Sequence, residues 1–177
     1  QSRLNELKTL IRDQYRERHF EGLLPLVNEA IELQPAISQL HKLKEQLEKH
    51  EAEQRIIREE ALAKATQHID GQQYSDAINV IEAVPEENRD LQLQSLLGKA
   101  RNLKRTLESL TRQISDALNA KQYSGLLAIV EQSLALKADQ KDLEKLKEKL
   151  LKQEAEILEE RDRSLEQSRE HLKRQEY

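Results

Sequence analysis

Apolar residues recur along the chain at spacings of three and four. Leu4, Leu7, Ile11 and Tyr15 form one such series, Ala61, Ala65 and Ile69 a second, and Leu107, Leu110, Ile114 and Leu118 a third. Residues spaced this way share one face of an α-helix, with the intervening polar residues facing outward. Each series runs into a turn signal, at Arg18-His19, Gly71-Gln72 and Lys121-Gln122. An aromatic residue and a second, shorter apolar segment follow. These segments end near Leu33-Gln34-Pro35, at Val84-Pro85 and near Ala138-Asp139. Proline suits a helix end because it has no backbone N–H to continue the hydrogen-bond ladder. The pattern then predicts long helices over residues 36–70, 90–120 and 139–176. No glycine or proline interrupts 36–70, so this helix is expected to reach about 50 Å at 1.5 Å per residue. Gly98 weakens the next helix without breaking it.

The segments repeat. Shifted by 103 residues, positions 1–74 lie over 104–177 without a gap, and 24 of those 74 are identical. The matches include Leu4/Leu107, Leu7/Leu110, Ile11/Ile114, Gly22/Gly125, Val27/Val130, Leu40/Leu143, Leu43/Leu146 and Leu47/Leu150. A gapless match of that length marks an internal repeat. A third copy lies between the two. Phe20, Tyr74 and Tyr123 align, as do Leu23, Ala77 and Leu126, and Val27, Ile81 and Val130. The aromatics are expected to fill the gap between two helices at each corner. The chain divides on this reading into units at 1–54, 55–103 and 104–153, with 154–177 a long terminal helix that opens a fourth. Tyr177 falls on Tyr74 under the shift and marks the anchor of that truncated unit. The natural protein is expected to continue past it. The predicted class is all-α, an elongated, α-solenoid-like helix-turn-helix array with long connecting helices.

The segment Gly71 to Pro85, GQQYSDAINVIEAVP, resembles the second half of a tetratricopeptide repeat. That family places an aromatic, a small residue three on, a large apolar residue four later, then a small residue and a proline. Tyr74, Ala77 and Ile81 fit; so do Phe20, Val27, Ala30 and Pro35, with Leu23 in the small position, and Tyr123, Val130 and Ser133, with Ala138 in the proline position. The family's period is about 34 residues; units of 54 and 49 residues separate the aligned aromatics here. The resemblance is to a tetratricopeptide-like repeat with lengthened helices. It implies a scaffold or partner-binding surface.

Composition narrows the chemistry. Charged residues make up 35% of the chain and aromatics 3%, so a thick globular core is not expected. No cysteine is present, which removes disulfides and thiolate chemistry and fits a reducing, cytoplasmic location. No methionine occurs either, and the chain reads as an excerpt or a processed product. No apolar run approaches the ~20 residues of a membrane-spanning helix. The five histidines stand in no compact zinc spacing. His41 and Glu45, four apart, offer at most half a metal site. The carboxylates sit beside lysine and arginine on helix exteriors, as ion pairs rather than general acids. No catalytic constellation, cofactor or metal site is expected.

Two surface features remain. Lys99, Arg101, Lys104, Arg105 and Arg112 are opposed only by Glu108. Arg101, Arg105 and Arg112 lie along one helix stripe suited to an acidic peptide, an anionic head group or a phosphate, although the net charge of −4 disfavours nucleic acid as the main partner. Leu151, Leu158, Leu165 and Leu172, seven apart, form an apolar stripe with no expected cover. It seats a coiled-coil partner. The expected role is a non-catalytic protein–protein interaction or scaffolding module that spaces, docks or oligomerises other domains. The partner is a protein, another copy of the chain included, reached through the C-terminal helix. The alternatives are a coiled-coil oligomerisation element and a regulatory segment of a larger bacterial signalling enzyme.

Overall fold

A computed structural model describes residues 2–175, so the anchor role expected of Tyr177 lies outside the described residues. The class is all-α. Among the described residues seven α-helices follow one another: α1 (Ser2–Arg16), α2 (Leu23–Leu33), α3 (Ser38–Asp70), α4 (Tyr74–Glu82), α5 (Leu91–Asn119), α6 (Leu126–Leu136) and α7 (Lys141–Gln175), with a single 3₁₀ turn at Glu86–Asn88. The three long helices stop within two residues of the limits the apolar spacing predicts.

The corners repeat more faithfully than the residues that form them. Arg18, Gln72 and Lys121 all take left-handed backbone conformations, with φ of 58°, 59° and 54°. Each closes a Schellman motif. The Arg18 N–H reaches the Tyr15 carbonyl at 3.2 Å and the His19 N–H the Gln14 carbonyl at 2.9 Å. The same pair of bonds joins Gln72 to Ile69 and Gln73 to His68, then Lys121 to Leu118 and Gln122 to Ala117. These bonds satisfy helix-end carbonyls that would otherwise lack partners, and they offset the left-handed backbone at residues with side chains.

The first and third corners contain a further turn. Gly22 and Gly125 each sit at φ 73° and start α2 and α6, and the Leu23 and Leu126 N–H groups bond back to the Phe20 and Tyr123 carbonyls, both at 3.2 Å. A Cβ on Gly125 would meet nothing within 4 Å, so only the backbone opposes a side chain there. Gly125→Ala is expected to lower stability by about 1–2 kcal/mol, read from urea denaturation. The middle corner has no such glycine, and α4 begins directly at Tyr74.

The structure forms two compact units. The first comprises the described residues of 1–63 with 82–93. Its core sets Leu7 and Ile11 of α1 against Leu23, Val27 and Ala30 of α2 and Leu40 and Leu47 of α3. Arg3 forks onto Glu29 across the α1–α2 pair, at 2.8 Å and 3.2 Å. The hydrogen bond to Arg3 holds the Glu29 carboxyl below the usual carboxylate range. The pair therefore stabilises above the unfolded carboxylate value, and that contribution is lost as pH falls through the lowered folded value. Glu29→Gln is expected to match the parent under strong acid and fall behind it as pH rises past about 4, a difference thermal melts across pH would show.

The second unit comprises 64–81 and the described residues of 94–177. Ile114 of α5, Leu126 and Val130 of α6 and Leu150 of α7 form a cluster, with Leu143 and Leu146 packed against it. Every one of these is the repeat counterpart of a residue in or beside the first core. One replacement is unfavourable: Ala30 becomes Ser133, fully buried with a hydroxyl that finds no partner among the described residues. Ser133→Ala is expected to raise stability by about 1 kcal/mol, since a buried hydroxyl without a bond costs its desolvation. A lower melting temperature would show the hydroxyl to be bonded after all.

Candidate interaction surfaces

The corner aromatics are not equivalent, which corrects the expectation that all three fill core. Tyr74 is 7% exposed, Phe20 is half-buried, and Tyr123 is 47% exposed. The residue three positions on explains the difference. Where Leu23 or Leu126 stands, that leucine is fully buried and takes the volume at the corner. Where Ala77 stands, the space is left for the tyrosine ring. Tyr15, placed by spacing on the buried face of α1, is likewise 46% exposed and meets Phe20 edge-on at 5.7 Å.

Tyr74 does more than fill space. Its hydroxyl donates to the Leu136 carbonyl. Beside it, the Gln72 side chain donates to the Ala135 carbonyl at 3.4 Å and accepts from the Ala138 N–H at 2.7 Å. The corner between α3 and α4 thus caps the C-terminal end of α6. Burial pushes the Tyr74 phenol upward. In the first unit the end of α4 is served differently: the Arg89 guanidinium donates to the Val84 and Glu82 carbonyls. Arg18 and Phe20, the counterparts of Gln72 and Tyr74, have no acceptor amide and no hydroxyl. A cleft of about 610 Å³ lies beside Phe20, whose ring tilts against His50 at 5.0 Å. Its far wall includes Asn88, bonded to Gln54, and Asp90, which caps the first turn of α5 through the Leu93 N–H. Arg58 lies 4.0 Å from the same Asp90. The polar groups of that wall are largely engaged with one another.

Arg101, Arg105 and Arg112 lie exposed on α5, strung along about 16 Å of helix at 1.5 Å per residue. His41 Nε2 donates to the Pro35 carbonyl at 2.8 Å. Among the described residues, no group of three or more histidine, aspartate or glutamate side chains is placed to hold a metal ion. No described helix is long and apolar enough to cross a membrane.

An exposed apolar line runs along α7. From Leu151 to Arg174 every side chain is exposed. Leu151, Leu158, Leu165 and Leu172 stand 45–64% exposed in one line, which runs about 32 Å at 1.5 Å per residue. Ile157, at 65%, is exposed too, but it lies about 100° round the helix from the leucine line. Pairs four apart, Lys152 with Glu156 at 4.0 Å and Glu159 with Arg163 at 3.3 Å, support the helix there. Each such pair contributes only a few tenths of a kcal/mol.

No protein-family model, curated protein or solved structure matches the chain. What stands is the coarser content of the resemblance: an all-helical chain whose helices pack on their neighbours and whose corners recur in kind.

Proposed function

We propose that this chain is a non-catalytic interaction module, a repeat of the tetratricopeptide-like kind with lengthened helices, that presents a surface to other polypeptides. The observation that carries this reading is the leucine line on α7. Four large apolar side chains left in water at regular spacing, on the part of α7 that no other described residue covers, fit a binding face better than a solvated one. The elements beneath supply a rigid base, since Leu143, Leu146 and Leu150 anchor the start of α7 on α5 and α6. The seven-residue spacing favours a helical partner, which makes coiled-coil assembly the form this role takes.

A photoreactive residue in place of Leu165, introduced in the native cells, tests the reading. The expected result is cross-linking to polypeptide at that position and none when the same residue replaces Lys145 on the outer face of α7. Equal labelling at both, or none at either, would overturn it.

A further inference from the structure

We infer that the occupant of the α7 stripe is a second copy of this chain, its α7 lying antiparallel with Leu158 facing Leu158 across a two-fold axis. The inference rests on the interaction-module reading and goes further by naming the partner, its direction and its register.

The argument comes from the charges that flank the leucines. At 100° per residue, positions three after each leucine lie on one flank of the stripe and positions four after lie on the other. One flank carries Glu154, Arg161 and Ser168; the other carries Glu148, Ala155, Asp162 and Arg169. When two helices pair antiparallel about a perpendicular two-fold axis, each flank faces the same flank of its mate. Centred on Leu158, residue levels sum to 316. Leu151 then stands level with Leu165 of the second copy. Arg161 falls within one residue, about 1.5 Å of rise, of the level of Glu154 of the second copy. Arg169 falls equally close to the level of Glu148 of the second copy. By symmetry this gives four interchain ion pairs around three leucine layers, with no like charges opposed. Asp162 meets only Ala155.

The neighbouring registers are worse. Sliding one helix by a whole heptad, so that Leu158 faces Leu165, brings Arg161 against Arg161 and Asp162 against Asp162. Parallel, in-register pairing sets each flank against the opposite one. It joins Arg161 to Asp162 but leaves Arg169 facing Ser168 and Glu154 facing Ala155; Lys147, level with Glu148, is already held by Glu131 of its own chain at 2.9 Å, so the two Arg161–Asp162 pairs are the new ones. Within a single chain Arg161 lies 3.5 Å from Asp162, a contact compatible with either partner. The slow rotation of the stripe, about 20° per heptad, lets the two helices wind gently around each other.

The full chain contains no cysteine, so single thiols can report geometry directly. Sedimentation equilibrium of the whole chain is expected to show a monomer–dimer equilibrium. Leu158→Cys should give a covalent dimer with a short thiol-specific cross-linker, whereas Leu172→Cys should not. Arg161→Glu is expected to weaken the dimer roughly tenfold, and adding Glu154→Arg to it should restore the parent affinity. Both cysteine sites are exposed, so folding is not at risk, and circular dichroism would check it. Efficient cross-linking at both positions would overturn the antiparallel arrangement in favour of the parallel one. A monomer at all concentrations would overturn the second copy as occupant. If the photoreactive residue at Leu165 then captured a different polypeptide, the interaction-module reading would stand without this inference.

Discussion

Replacing Tyr74 by alanine is expected to cost about 3–5 kcal/mol, while the same change at Tyr123 is expected to cost under about 0.5 kcal/mol. The two residues occupy matching positions in the repeat, so sequence alignment alone would give them equal weight. Their surroundings differ. Tyr74 is buried beside Ala77, and its hydroxyl bonds the Leu136 carbonyl at the end of α6. Deleting the ring opens a cavity and leaves that carbonyl short of a donor. Tyr123 sits half in water, since Leu126 already fills the corner. Tyr74→Phe separates the two contributions at Tyr74, with an expected loss of about 1 kcal/mol for the hydrogen bond alone. Urea denaturation of the three variants measures all of this. Comparable losses at Tyr74 and Tyr123 would mean that Leu126 does not displace the ring.

Leu126→Ala is expected to cost about 3–5 kcal/mol, whereas Leu158→Ala leaves the stability of the monomer within about 0.5 kcal/mol. Leu126 is 1% exposed at the start of α6 and packs in the cluster with Ile114, Val130 and Leu150. Removing three carbons there forfeits their transfer free energy and leaves a void in a small core with little slack to close it. Leu158 has no described neighbour to lose, and alanine even improves helix propensity slightly. The contrast matters because both leucines read alike in the sequence, each one position in a helical series. If Leu158→Ala destabilised the dilute monomer as much, the stripe would be covered by the chain's own residues and the proposed docking face would not exist.

Much of the fold was legible because it rests on periodicity. The spacing of Leu40, Leu43 and Leu47 with Ala61 and Ala65 placed α3 almost to the residue, and the 103-residue shift paired the two leucine clusters correctly. The exposed stripe was legible for the same reason: the four leucines of α7 had no partner series. What was hidden depends on volume and on backbone acceptors. The choice between tyrosine and leucine at a corner turns on whether Ala77 or a leucine stands three residues on, a comparison that alignment by residue type obscures. The caps supplied by Gln72, Tyr74 and Arg89 aim at helix-end carbonyls. Carbonyls are present at every position, so no spacing of side chains marks which of them will be met.

The two ways of finishing a short helix have unequal consequences for how the chain finds its form. Arg89 reaches carbonyls five and seven residues before it. Tyr74 and Gln72 reach carbonyls 62 and 63 residues away. Closing the longer loop in a flexible chain costs about 2 kcal/mol more in entropy than closing the shorter one, by the logarithmic dependence on loop length. The cap on α4 is therefore available to a local hairpin early in folding. The cap on α6 must wait until the intervening helices have drawn the corner and the helix end together, so the second unit depends on distant partners where the end of α4 depends only on its own loop.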